Sequence, residues 1–149
     1  MKIGIVGLGL IGGSLALELT RQGFYTVGVS RQEKTCCLAL EKSIVCESGV
    51  DLQLLGKCNL IIICTPIKFI LSTIEKIISY LPPETIITDV GSVKGAIALP
   101  ATELWKNFVG SHPMAGNANQ GIEFAESGLF NNAPCVITPV ENTPPEAIK

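Results

Sequence analysis

A glycine-rich hexad near the N-terminus, Gly7-Leu8-Gly9-Leu10-Ile11-Gly12, constrains the fold more than any other feature of the chain. Alone, G-x-G-x-x-G is a common string. Here it ends a short β-rich run, Lys2–Val6, and opens a helical stretch that runs from Gly12 to Gln22. Ile11, Leu15 and Leu19 fall on one face of that helix, and Gly23 stops it. A strand, a glycine turn and a helix in that order are the context in which this motif binds a dinucleotide. Gly7 permits the tight turn, Gly9 lets the backbone approach a pyrophosphate, and Gly12 lets the helix pack close to the strand. The helix N-terminus then offers free N–H groups and a positive dipole end to phosphates. Leu10 and Ile11 complete the turn and belong to the same candidate contact set.

The rest of the chain alternates in the same way. Strands are expected at 25–30 and 60–64, the second a continuous apolar run of the kind found in a central parallel strand. Ser30-x-x-Glu33 reads as a capping box that opens a helix to about Lys42. The segment 51–56 reads as one helical turn. Ile67, Ile70, Leu71, Ile74, Ile77, Ile78 and Leu81 follow the spacing of an amphipathic helix, which Pro82-Pro83 breaks. A strand over 85–88, a helix over 93–104 and short strands at 108–110 and 135–138 complete the series. This alternation predicts an α/β fold: a Rossmann-like, doubly wound, mostly parallel sheet with helices on both faces. At 149 residues the chain matches one domain. A domain over 1–140 would bind the dinucleotide, and 141–149 would begin a linker or helix. Thr143-x-x-Glu146, with Pro144 and Pro145 between, reads as a second capping box.

Composition excludes other classes. The formal charge is −2, and no two basic residues are adjacent, so a nucleic-acid surface is not expected. Charged residues are 16% of the chain against a usual ~25%, and hydrophobic residues are 47%. That balance excludes a disordered tail and suits a sheet buried on both faces. The longest apolar stretch, 60–71, is cut by Pro66 and Lys68 and is shorter than the ~20 residues of a membrane span. Glycines interrupt the N-terminal apolar run, which argues against a signal peptide. Six cysteines at 36, 37, 46, 58, 64 and 135 form no Cys-x-x-Cys pair, and one histidine is too few to complete a zinc site. No metal is expected, and reduced thiols in a cytoplasmic protein are.

Three further segments carry chemistry. The tip of the second strand selects the cofactor, because NAD enzymes place Asp or Glu there for the ribose 2′-hydroxyl. This chain has Ser30-Arg31-Gln32 instead, which would welcome a 2′-phosphate, so NADP is favoured over NAD. Cys64-Thr65-Pro66 follows the apolar strand and would line the cofactor. The single histidine, His112, lies in a loop, 110–116, between glycines and before Pro113, beyond the carboxyl end of a strand, where α/β ligands bind. It is the candidate catalytic base. Ser92, in the turn 89–94, either caps a helix or reaches the site to orient that histidine.

Taken together, Gly7–Gly12, Cys64-Thr65-Pro66, Asp89-Val90-Gly91-Ser92-Val93-Lys94 and Gly110–Gly116 resemble the prephenate/arogenate dehydrogenase family of tyrosine biosynthesis. The Ser30-Arg31-Gln32 tip most resembles its NADP-dependent arogenate branch. The resemblance implies an oxidative decarboxylation of arogenate or prephenate to tyrosine or 4-hydroxyphenylpyruvate. His112 would accept the proton of the ring C4-hydroxyl, hydride would leave C4 for the nicotinamide, and the ring carboxylate would leave as CO2. Ser92 would orient His112 and the substrate hydroxyl. The resemblance further implies a helical C-terminal domain, absent from these residues, that forms a homodimer and grips the substrate carboxylate. A chain lacking it would bind cofactor and turn over little substrate. Two other readings stand beside this one: the cofactor domain of a 3-hydroxyacid-type dehydrogenase, and a non-catalytic dinucleotide-binding or interaction module.

Overall fold

A computed structural model describes all of residues 1–149. Seven strands form one sheet: β1 (Lys2–Val6), β2 (Tyr25–Val29), β3 (Glu47–Gly49), β4 (Leu60–Ile63), β5 (Ile86–Asp89), β6 (Phe108–Pro113) and β7 (Cys135–Thr138). Five α-helices accompany them: α1 (Leu10–Arg21), α2 (Glu33–Glu41), α3 (Ile70–Ile77), α4 (Ala98–Leu104) and α5 (Pro145–Ile148). The sheet order is β3-β2-β1-β4-β5-β6-β7, parallel throughout except for the antiparallel β6–β7 pair. This is the expected doubly wound fold, and the strand order reverses at β1.

The sheet is buried on both faces, as its apolar strands require. In β4, Ile61 and Ile63 join one core with Val27, Ile74, Ile77, Ile87 and Phe108. Ile62, between them, points to the other core with Ile3, Ile5, Ala16, Ala39 and Ile122. Period-2 alternation divides one continuous apolar run between two layers. At ~25 cal/mol per Å² of apolar surface, these two cores are the main stabilising term.

Register places the site. Val6 pairs with Val29 on one side and Ile63 on the other, and Ile63 pairs with Asp89. Four strands therefore end at one level, and the turns that follow them, at Gly7, Ser30, Cys64 and Val90, open on the same edge.

Local expectations are corrected in several places. Helix α1 starts at Leu10, with Gly9 as its N-cap. The box at Ser30 is not formed: Gln32 is the N-cap of α2, and the Ser30 hydroxyl accepts the Gln32 N–H at 3.3 Å in a turn. The helix expected over 67–81 is α-helical only at its centre, with 3₁₀ turns over Ile67–Phe69 and Ile78–Tyr80. The expected helix over 93–104 begins at Ala98, because the Lys94 side chain folds back to Asp89 and closes a separate turn. The second box is also unformed: the Thr143 hydroxyl accepts the Val140 N–H, although Pro145 does occupy the first helical turn. The strand at Glu47–Gly49 carries no β-rich signal; it forms because β2 offers its open edge to a passing chain.

Candidate functional site

The carboxyl edge of the sheet opens into a cleft of about 1060 Å³. Every residue expected to bind or react lines it: Gly7, Gly9, Leu10, Ile11, Gly12, Ser30, Arg31, Gln32, Cys64, Thr65, Pro66, Ser92 and His112. The topological switch point at β1 lies at its centre, which is where ligands bind in open α/β sheets.

Its floor is the glycine turn. Gly7 has φ +98°, a left-handed conformation that favours glycine. A Cβ on Gly7 would lie 2.9 Å from the Cys64 carbonyl, so β1 and β4 meet through backbone at this point. A Cβ on Gly12 would lie 1.9 Å from the Gly7 carbonyl oxygen, so α1 could not start where it does. Gly9 differs: a Cβ there would meet nothing within 4 Å. No packing within the chain requires that glycine, and a side chain there would project into space left for a ligand. This open cradle under a helix N-terminus fits a pyrophosphate.

Toward the β2 side lies the strand tip. Arg31 and Gln32 are exposed, and Ser30 is half-buried. The Arg31 guanidinium stands 5.5 Å from the centre of the Phe69 ring, and Lys68 Nζ lies 5.0 Å from it. The ring and the exposed guanidinium are within cation–π range, and both residues line the cleft. Phe69 and Lys76, which also line this end, were not expected at the site. Both sit in the amphipathic repeat after Pro66, whose spacing reads as helix and says nothing of the cleft.

At the other end, His112 is not in a loop. β6 continues through Pro113, and His112 pairs with Val136 on β7. Its imidazole Nδ1 is buried and has no hydrogen-bond partner in the chain, and the same holds for Thr65 Oγ1. Both residues line the cleft, where water or a ligand can supply the partner the chain does not. Ser92 caps no helix, since α4 begins later with Ile97 as N-cap. It is exposed in the cleft with His112.

Beneath this end lies a polar cluster. Asp89 is fully buried and pairs with Lys94 Nζ at 2.6 Å. The Cys64 thiol is pushed well above the ordinary range, chiefly by burial and further by the Asp89 charge. It therefore stays protonated beside the glycine turn and serves as packing. No group of three or more His, Cys, Asp or Glu is placed to hold a metal ion.

One wall was also unforeseen. Asn117, Asn119, Gln120 and Gly121 face the cleft beyond His112. This wall is tied to α1: the Glu126 N–H donates to Ser14 Oγ at 3.0 Å, and Asn117 Nδ2 donates to Glu126. The signal available in the sequence was the pair of glycines at 116 and 121, both with positive φ.

Residues 15–149 match a protein family described as prephenate dehydrogenase, nucleotide-binding domain. A prephenate dehydrogenase of Bacillus subtilis is 33% identical over 153 aligned positions, covering 97% of this chain and 41% of that protein. The crystal structure of Synechocystis arogenate dehydrogenase superposes with a TM-score of 0.97 at 57% identity, over 99% of this chain and 53% of that one. That of A. aeolicus prephenate dehydrogenase with hydroxyphenyl propionate and NAD+ gives 0.94 at 25%, over 99% and 54%. The chain thus spans about half the length of the relatives it matches.

Proposed function

Because this chain belongs to the prephenate dehydrogenase family, matched over its nucleotide-binding domain, we propose that it is the cofactor half of an NADP-dependent arogenate dehydrogenase, with prephenate as the alternative substrate. One observation carries this reading. A single cleft joins a glycine cradle, a strand tip bearing Ser30 and Arg31, and the chain's only histidine.

The cradle of Gly7, Gly9 and Gly12 would hold the pyrophosphate, and Cys64-Thr65-Pro66 would flank the dinucleotide on the β4 side. Ser30, Arg31 and Gln32 would take the 2′-phosphate by hydrogen bonds and charge, where an acidic residue would repel it. A bound NADP+ would supply the hydride acceptor for the substrate ring. His112 would accept the proton of the ring hydroxyl as general base, Ser92 would orient His112 and that hydroxyl, and the ring carboxylate would leave as CO2. The amide-lined wall at 117–121 adds no charge beside the base. Residues that grip the substrate carboxylate, and a dimer interface, would come from a second domain of the kind the longer relatives have room for.

The test is turnover of arogenate and prephenate with NADP+, by residues 1–149 alone and by a two-domain enzyme that contains them. The two-domain enzyme is expected to release CO2 from arogenate, and the isolated residues to release little or none. Robust turnover by residues 1–149 alone would refute the division of labour.

A further inference from the structure

The turn that carries Ser92 and the strand that carries His112 meet at Asp89, whose buried carboxylate pairs with Lys94 and accepts the Ser111 N–H. We propose that Lys94 and Asp89 are positioning residues that hold Ser92 and His112 in one arrangement. This rests on the reading of those two residues as the reacting centre, but its test needs no turnover.

The geometry points this way because the pair ties three segments rather than two. Asp89, at the end of β5, is 0% exposed. Its Oδ2 accepts Lys94 Nζ at 2.6 Å and the Gly91 N–H at 2.9 Å. Lys94 Nζ also donates to the Gly91 carbonyl. The turn 89–94 is thereby closed around its own lysine, with Ser92 at the outside of the bend. On the other side, the Ser111 N–H donates to Asp89 Oδ1 at 3.4 Å, and Ser111 Oγ donates to the Asp89 carbonyl at 2.6 Å. Ser111 immediately precedes His112. The lysine stem crosses β6 at Gly110, where a Cβ would lie 2.9 Å from Lys94 Cδ. Glycine at that position lets the stem pass.

Lys94 does not line the cleft, so it acts through its neighbours. A buried ion pair is a weak source of stability but a stringent one of geometry, because removing one partner strands the other charge. Without the lysine, the Asp89 carboxylate must find water or a new donor. Both the Ser92 turn and the Ser111–His112 segment bond to it and would follow.

His112 is the only histidine, so its imidazole nitrogens give a single pair of ¹⁵N signals in the labelled 149-residue chain. In Lys94→Met those signals are expected to move or double, and in Lys94→Arg to return toward the unmodified positions. A destabilising change elsewhere in the core, Ile77→Val on α3, is expected to lower the melting temperature and leave them in place. Should Lys94→Met fail to fold, the double variant Asp89→Asn/Lys94→Met buries no lone charge and is read in the same way. Unmoved imidazole signals in the folded variant, or an equal displacement in Ile77→Val, would overturn the proposal. If His112 is not the base, that shows as unimpaired turnover in His112→Asn and leaves this measurement standing.

Discussion

A methyl group on Gly12 and a methyl group on Gly9 separate what the fold needs from what the ligand needs. The first would lie 1.9 Å from the Gly7 carbonyl oxygen, and the second would meet nothing within 4 Å. Gly12→Ala is expected to cost ~1–3 kcal/mol of stability by overpacking, and cofactor binding with it. Gly9→Ala is expected to cost about 1 kcal/mol, since Ala is a poorer N-cap than Gly, and to weaken NADPH binding beyond that loss, because the added methyl meets nothing in the chain and projects into the cleft. Thermal melts and a cofactor titration of both variants check this. The cysteines give a second residue-scale expectation. Burial pushes the Cys58 thiol up to about 11, and the Cys64 thiol higher still with help from Asp89. A raised thiol carries less thiolate at neutral pH, and the thiolate is the nucleophile. Iodoacetamide at neutral pH should therefore label the exposed Cys37, Cys46 and Cys135 while Cys58 and Cys64 resist. Mass spectrometry of the digested protein reads the pattern. For the proposed base, His112→Asn in the two-domain enzyme should lower kcat ~100–10,000-fold. A loss under about tenfold, below what general-base catalysis supplies, would exclude that role.

At the scale of elements, selectivity is assigned to the tip of β2. Ser30→Asp would place a carboxylate where the 2′-phosphate is proposed to sit. The loss of charge-assisted hydrogen bonds, ~1.5–3 kcal/mol, corresponds to roughly 10–100-fold weaker NADPH binding, with NADH gaining in comparison. Calorimetric titration of the variant with both cofactors checks it. The strands and glycine turn that position this tip were legible in the sequence, because their signals are local. Period-2 apolar runs and a glycine hexad need only near neighbours to take effect. What was not legible depends on partners distant in sequence. Ser30 looked like a helix cap, but its hydroxyl oxygen accepts the Gln32 N–H within the turn and caps no helix, which leaves its O–H to donate. The helix expected from Val93 starts at Ala98 because Lys94 finds a carboxylate on another strand's end. His112 looked like a loop residue because Gly110 and Pro113 flank it. β7 recruits it into a strand from more than twenty residues away. Glu47–Gly49 becomes a strand only because β2 has an open edge. In the site, the glycines, the tip and the histidine were legible as residue types at informative spacings. Phe69, Lys76 and the amide wall were not, since their types suit any surface.

For the whole molecule, the register of the parallel strands gathers scattered turns into one cleft, and the two apolar cores fix that register. The fold and the shared cleft thus follow together from one register. A ligand that binds only the folded state stabilises it, by about 2.7 kcal/mol at 100 times its Kd. Saturating NADPH should accordingly raise the melting temperature of residues 1–149, and NADH at equal concentration should raise it less. NADP selectivity of the dinucleotide site is read most directly by a fluorescence titration of the 149-residue chain with NADPH and NADH under the same buffer. NADPH is expected to bind saturably and at least about tenfold tighter than NADH, as a 2′-phosphate gripped by Ser30 and Arg31 requires. Tighter binding of NADH, or no saturable binding of either, would contradict this reading.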